Sequence, residues 1–167
     1  MFRLLTSVLL CAFSWSWTIA QSQFNEVDLR VKRVGLGSSY SQVLRQLGRP
    51  ASTQREKVIS DGTCGPSYTS LLLNYKGAVV ELHGDLRGRD LEIVSMEITS
   101  SKFFIMPGIR VGMTEPEALA KLGKPAEGMW ELGVRTLTYV TKGNDGLAVL
   151  FFRDGRLEKV YWKYTLC

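Results

Sequence analysis

Side chains suited to catalysis are sparse in this sequence. It has one histidine, His83, near the end of a predicted strand. It lacks the His-Glu-x-x-His, Gly-x-Ser-x-Gly and paired-cysteine spacings that indicate metal-dependent or nucleophilic hydrolysis. A lone histidine in such a place is typical of a half-exposed structural residue. We therefore predict no catalytic residue, no metal site and no cofactor.

Two short motifs resemble ligand-binding loops but have simpler interpretations. Gly35-Leu36-Gly37 lacks the third glycine and the lysine of a phosphate-binding loop, so we interpret it as a turn that enters a helix. Asp61-Gly62 is typical of a tight turn. The alternative for Asp61 is an acidic contact to a binding partner.

The N-terminal residues have the pattern of an export signal. Arg3 is followed by an apolar run to Trp17, and the segment closes with Thr18-Ile19-Ala20, which has small residues at the two positions that a signal peptidase reads. The run is shorter than the roughly 20 apolar residues that span a bilayer. We predict a signal peptide over residues 1–20 and a soluble mature protein, periplasmic or secreted, with no retained membrane span.

The cysteines indicate a disulfide in the mature chain. Cys11 lies inside the apolar run and would be removed with it, which leaves Cys64 and Cys167. Paired thiols persist as disulfides in oxidising compartments. A Cys64 to Cys167 bridge closing a loop of about 100 residues would stabilise the fold by roughly 4–5 kcal/mol. The alternative is two unpaired buried thiols.

The charge pattern gives little support to nucleic-acid binding. The chain has 21 basic and 16 acidic residues, and removal of Arg3 leaves 20 minus 16, a net charge of about +4. The basic residues are interspersed with acidic ones and form no run. A weakly acidic protein is at least as compatible with this mildly basic charge. We therefore predict a protein partner and no nucleic acid.

An internal repeat organises the mature chain. The stretch 36–51 aligns without gaps on 111–126, an offset of 75 residues (111 minus 36). Each copy carries an N-cap, a Gln or Glu three positions later, a terminating glycine and a proline. These are Ser39, Gln42, Gly48 and Pro50, and then Thr114, Glu117, Gly123 and Pro125. Glu115 interrupts the apolar stripe of the second helix, which predicts a solvated helix end.

Short apolar runs separated by turn residues follow each helix and predict antiparallel hairpins. We predict strands at Thr69–Tyr75, Ala78–Leu82, Leu91–Thr99, Arg135–Val140, Leu147–Phe152 and Leu157–Tyr164. Extended lead-ins, 28–34 and 103–110, precede the helices. The stretches 51–66 and 127–134 are interpreted as longer connections.

These elements predict an α+β fold of two tandem helix-plus-antiparallel-meander repeats, residues 21–99 and 100–167, which form one sheet with helices on one face. Side chains alternate along the last strand. Val160, Trp162, Tyr164 and Leu166 are expected to face the core, and Lys159, Tyr161 and Lys163 the free face. Tyrosine contributes a large contact area at low entropic cost, so these last three are candidate partner-binding residues. Alternatively, these three residues are simply solvated or are covered by the neighbouring repeat.

The paired signature Gly-x-[Ser/Thr]-x-x-[Gln/Glu]-[Val/Ala]-Leu-x-x-Leu-Gly-[Arg/Lys]-Pro, followed by a meander that ends in residues 151–157, resembles a tandem β-lactamase-inhibitor-protein-like (BLIP-like) repeat. A single copy is similar to the SmpA/OmlA (BamE) outer-membrane lipoprotein family. The resemblance implies a concave sheet face that grips another protein, loops that enter the partner's cleft, and no enzyme activity. It also implies an acidic contact after the first helix, where Asp61 lies.

The inhibitor family has a disulfide inside each repeat, whereas this chain offers Cys64 in the first copy and no counterpart in the second. Two functions therefore remain as hypotheses. The first is an inhibitor or immunity-type protein that neutralises an envelope enzyme or toxin. The second is a structural accessory of outer-membrane or envelope assembly. An enzyme of unrecognised type is a third, which the residues above disfavour.

Overall fold

The computed structural model of the chain describes residues 25–62, 65–143 and 145–165. The predicted signal peptide, Leu166 and the predicted Cys64 to Cys167 disulfide lie outside these residues. No helix in the described ranges is long and apolar enough to cross a membrane.

The described chain is a mixed α+β fold of two helices and ten strands. The helices are α1 (Tyr40–Leu47) and α2 (Glu115–Leu122). Two short strands, β1 (Arg30–Val31) and β6 (Ile105–Met106), pair with each other. The other strands are β2 (Ser52–Val58), β3 (Tyr68–Tyr75), β4 (Ala78–Gly84), β5 (Glu92–Ile98), β7 (Glu127–Glu131), β8 (Val134–Val140), β9 (Gly146–Arg153) and β10 (Arg156–Tyr164). They form one antiparallel sheet in the order β2-β3-β4-β5-β10-β9-β8-β7.

Both helices begin and end where the sequence predicts. The N–H of Ser39 donates to Gln42 Oε1 at 2.8 Å, and the N–H of Thr114 donates to Glu117 Oε2 at 2.7 Å. Each helix ends at a glycine with positive φ, 83° at Gly48 and 74° at Gly123, a backbone conformation that glycine adopts without strain. Local capping chemistry therefore fixes the bounds of these short helices.

One face of the sheet carries the hydrophobic core. Buried side chains alternate along the central strands, and Val43 of α1 and Ala118 and Leu122 of α2 belong to the same buried cluster. Both helices therefore pack on this face. The buried strand residues are Leu71, Leu73, Ala78, Val80, Leu82, Ile93, Met96, Ile98, Leu137, Tyr139, Ala148, Leu150, Phe152, Leu157, Val160 and Trp162.

The six predicted strands are all present, with ends that differ by at most two residues. The interpretation of 51–66 and 127–134 as connections is wrong, because they contain the edge strands β2 and β7. Nearly every side chain of these two strands is exposed, so neither has an alternating apolar pattern.

The predicted solvation of the N-terminal end of α2 holds for Pro116 and Glu117, which are exposed, but not for Glu115. Glu115 is half-buried, and its Oε1 lies 3.3 Å from Nε of Arg135 on β8. The position that Tyr40 occupies in α1 therefore holds an ion pair in α2.

Candidate protein-binding face

The face of the eight-stranded sheet opposite to the helices is built mainly of half-exposed and exposed side chains. We call it the open face. It combines aliphatic, aromatic and charged groups: Leu72, Val79, Glu81, His83, Glu97, Leu147, Val149, Phe151, Lys159, Tyr161 and Lys163. Their positions follow from strand alternation, since each neighbours a core-facing residue of the same strand.

Tyr161 lies at the middle of the open face. On β10 it is paired with Glu97 of β5 and Val149 of β9, and these are the central strands of the sheet. Val160 and Trp162, on either side of it in sequence, are buried. The predicted alternation of β10 is therefore confirmed across these residues. Lys163 is exposed and is paired with Ser95 and Leu147.

Lys159 is held by two neighbours on the open face. Its Nζ lies 3.2 Å from Glu97 Oε2 and 4.5 Å from the centroid of the Phe151 ring. An exposed ion pair of this kind contributes about 0–1 kcal/mol, and a cation over an aromatic ring adds a similar amount. These contacts fix the direction of the Lys159 side chain and partly neutralise its charge.

A polar cluster around Glu81 occupies the other half of the open face. Glu81 accepts hydrogen bonds from Ser70 Oγ at 3.2 Å and Ser95 Oγ at 3.0 Å, and its Oε1 lies 2.9 Å from His83 Nε2. The His83 ring stacks on Tyr68 with centroids 4.1 Å apart. The hydrogen bond from His83 is the main cause that lowers the pKa of Glu81, and the two serine hydroxyls lower it further against partial burial.

This cluster lacks the geometry of a nucleophilic triad. The hydroxyls of Ser70 and Ser95 contact the carboxylate rather than the imidazole, so neither is activated by His83. Within the described residues no group of three or more His, Cys, Asp or Glu side chains could hold a metal ion. The arrangement instead fixes an ionised carboxylate in the sheet surface.

Sequence reasoning missed this cluster because its members lie on three strands. Ser70 and His83 are register partners, and Glu81 is paired with Ser95 just before a bulge. The only signal of the cluster in the sequence was the presence of polar residues, Ser70 on β3 and Glu81 and His83 on β4, at positions that alternate with apolar ones. Without the pairing register those positions cannot be joined into one site.

Asp61 lies apart from the other predicted partner-binding residues. It is exposed in the loop after β2, where Gly62 has a φ of 86° and donates its N–H to Ser60 Oγ at 3.0 Å. The edge strand β2 is four strands from β10. At about 4.8 Å per strand, Asp61 is roughly 19 Å from the row of Tyr161, at the rim of the sheet.

We expect the Glu81 cluster to make stability depend on acid pH. A carboxylate whose folded pKa is lowered stabilises the fold above its unfolded pKa of about 4.3, and that contribution is lost as the pH falls through the folded value. Glu81→Gln should therefore flatten the acid limb of the stability curve, measured by urea unfolding from neutral pH downward. Glu56→Gln, an exposed carboxylate on β2, is the control. Equal acid limbs for Glu81→Gln and the unmodified protein would contradict the assignment.

The sequence matches no protein-family model and no curated protein. Among solved structures, the chain is similar to a cysteine-rich secretory protein from Staphylococcus aureus, with a TM-score of 0.51, 14% identity, and coverage of 85% of this chain and 49% of that one. An extracellular protein containing an SCP domain from Bacillus anthracis gives a TM-score of 0.48, 14% identity, and coverage of 87% and 49%. A candidate β-lactamase inhibitor protein from Streptococcus mutans gives 0.28, 18% identity, and coverage of 86% and 91%.

The first of these likenesses shows a shared fold and nothing about activity. The chain spans about half the length of the Staphylococcus and Bacillus anthracis proteins, at 49% of each.

Proposed function

We propose that this chain is an exported, soluble protein-binding module that inhibits or neutralises an envelope enzyme or toxin, and that the open face is its binding surface. The observation that carries the proposal is a mixed apolar and charged face, centred on Tyr161, on the side of the sheet away from both helices. The proposal includes no catalytic step, because His83 is hydrogen-bonded to the carboxylate of Glu81 rather than to a nucleophile.

The size of the open face suits a protein partner. Eight strands about 4.8 Å apart span roughly 34 Å, and strands of this length run about 20 Å. The product, of the order of 700 Å², is close to the roughly 800 Å² that each partner contributes to a standard interface. Half-exposed aliphatic side chains beside aromatic rings are also the composition that interface cores favour.

The proposed roles of the predicted residues follow from their positions. Tyr161 supplies the central aromatic contact, and exposed Lys163 beside it pairs with an acidic group of the partner. Lys159 is positioned by Glu97 and orients the Phe151 ring. Asp61 would contact the partner at the rim, if the partner extends beyond the central strands.

We also interpret residues 21–99 and 100–167 as two copies of one unit, as the BLIP-like resemblance implies. Four pairs of equivalent contacts support this interpretation. The tyrosines Tyr75 and Tyr139 each donate to the carbonyl of the glycine that ends a helix, at 3.1 Å. The N–H of Gly37 donates to the carbonyl of Ile93, as the N–H of Gly112 does to that of Leu157. In return, the N–H of Ile93 donates to the carbonyl of Ser38, as the N–H of Leu157 does to that of Met113. The last pair consists of two antiparallel bridges, Ser39 with Glu92 and Thr114 with Arg156.

The proposal predicts that Tyr161→Ala weakens binding of the partner by about tenfold or more, as removal of a central aromatic anchor does. The measurement begins with a pull-down from an envelope extract of the native host, with the oxidised mature protein as bait. A stoichiometric partner is then titrated against the unmodified protein and the variant, and its activity is assayed in the same titration.

The matched control is Tyr164→Ala, which removes the same side chain from the same strand but on the helix side. Circular dichroism confirms that both variants are folded. A captured enzyme or toxin that loses activity on binding, with affinity reduced by Tyr161→Ala alone, supports the proposal. Recovery of envelope-assembly components would favour the accessory function, and equal affinity for all three proteins would exclude the open face.

A further inference from the structure

The two edge strands of the sheet differ in chemistry. β2 reads Ser-Thr-Gln-Arg-Glu-Lys-Val, with polar groups and charges of both signs, which is how proteins protect an edge from pairing with another chain. β7 reads Glu-Gly-Met-Trp-Glu and is followed by Leu132. Met129, Trp130 and Leu132 are 48%, 65% and 94% exposed. The edge at β7 therefore exposes large apolar side chains between two like charges, whereas the exposed residues of β2 are all polar.

The turn after β7 displays an apolar side chain at a conformational cost. Leu132 and Gly133 form a two-residue turn in which both have positive φ, 47° and 77°. Asn-Gly is the common choice for such a turn, and a leucine held there costs about 1–2 kcal/mol. Because Leu132 is almost fully exposed, packing within the described chain does not account for this residue.

The side chains of β7 divide between its two faces. Glu127, Met129 and Glu131 lie on the open-face side, since Glu127 is paired with Thr138, which is paired with Val149. Neither glutamate has an ion pair or side-chain hydrogen bond to any residue in the described ranges. At about 3.4 Å per residue, their Cα atoms are roughly 14 Å apart, with Met129 midway.

The side of β7 away from the open face has no net charge. Trp130 is paired with Arg135, and the Arg135 guanidinium is held by Glu115 of α2 at 3.3 Å. The charges that β7 presents to an incoming strand are therefore the two glutamates.

We infer that β7 binds an extended basic segment of another protein, which adds to the sheet as a ninth strand. The segment would carry a cation, an apolar residue and a cation at alternate positions, opposite Glu127, Met129 and Glu131. Backbone hydrogen bonds to the edge would supply affinity, and the alternate side chains would supply specificity. Because β7 lies three strands from β10, at the margin of the open face, strand addition at its edge can be tested separately from the contact at Tyr161.

A second copy of the chain fits this edge less well. Antiparallel pairing of two β7 strands centred on Met129 would place Glu127 of each copy opposite Glu131 of the other. Like charges directly opposite are destabilising in a sheet, so this charge pattern selects against the symmetric pair.

The test uses the peptide acetyl-Thr-Lys-Thr-Val-Thr-Lys-Thr-amide with the mature protein. Amide chemical shifts locate the contact, and fluorescence anisotropy of a labelled copy gives the dissociation constant. We expect shift changes in β7 and β8 and not in β2 and β3. Glu127→Lys with Glu131→Lys should weaken binding about tenfold, because two cross-strand charge pairs become repulsive. Glu56→Lys, the same charge reversal on β2, should leave binding unchanged.

Two further peptides separate strand addition from simple charge attraction. N-methylation of one alternating set of peptide amides should abolish binding, and methylation of the other set should not, because one edge of the added strand faces β7. The peptide with glutamates in place of lysines should bind the charge-reversed variant in preference to the unmodified protein. No binding at millimolar concentration, equal binding of both methylated peptides, or self-association through β7 without peptide would overturn the inference.

Discussion

Replacing Trp162 with alanine is expected to lower the free energy of unfolding by about 3–5 kcal/mol. Trp162 is 1% exposed and lies on β10, paired with Met96 of β5 and Ala148 of β9, where the two halves of the sheet meet. Its removal leaves a cavity that flanking strands cannot close without losing their register. Urea unfolding followed by far-UV circular dichroism measures the change.

The matched control is Trp130→Ala, which deletes the same side chain from an exposed position on β7. We expect its effect on stability to stay within about 0.5 kcal/mol. The indole Nε1 of Trp162 has no hydrogen-bond partner among the described residues, so Trp162→Phe should lose much less than Trp162→Ala. Similar losses of stability for the two alanine variants would show that the core is not tightly packed where β5 and β10 meet.

The helices were predictable because their signals are local. Ser39 with Gln42, and Thr114 with Glu117, need only three residues of separation to complete a cap. The same locality gave the ends of the central strands, where apolar residues alternate. In each case the interaction that fixes the structure lies within a few residues of the signal.

The edge strands were not predictable in this way. Nothing in the sequence Ser-Thr-Gln-Arg-Glu-Lys-Val of β2 favours a strand over a loop, and its conformation comes from pairing with β3. β7 acquires its structure in the same way from β8. Pairing with a neighbour outweighs intrinsic propensity at the margin of a sheet.

The sequence predicted which side of the sheet the residues of the open face lie on, but not the contacts between them. Alternation along β10 placed Tyr161 on the open side correctly. The ion pair of Lys159 with Glu97, and the approach of Ser95 to Glu81, depend on how β5 is aligned with its neighbours. A bulge between β4 and β5 shifts that alignment, and single-strand periodicity cannot reveal a bulge.

The two proposed modes of protein recognition differ in their physics. The open face would bind a folded surface through side chains, with Tyr161 at its centre. The edge at β7 would bind an extended segment through the backbone. Charge reversal at Glu127 and Glu131, at the margin of the open face, should affect mainly the second, and Tyr161→Ala only the first, so the two proposals can be tested in the same preparation.

Replacing Gly146 with alanine is expected to destabilise the protein by about 2–3 kcal/mol, at the upper end for overpacking. A Cβ at this position would lie 2.3 Å from the Lys163 carbonyl oxygen and 2.9 Å from Thr141 Oγ1. The first of these is backbone of the neighbouring strand, so relief requires β9 and β10 to separate. Gly146 is also paired with Tyr164 and accepts a hydrogen bond from the Thr141 N–H at 2.9 Å, and both contacts would be strained.

The matched control is Gly155→Ala, at the other end of the same β9–β10 hairpin. There a Cβ meets no atom within 4 Å, and the expected loss of about 1 kcal/mol comes from the positive φ of 73° alone. Both losses are measured by urea unfolding. Because Lys163 lies at the strained end, Gly146→Ala should also weaken partner binding, whereas Gly155→Ala should not. Equal stability of the two variants would mean that the strand ends yield freely, and the carbonyl of Lys163 then places no constraint on residue 146.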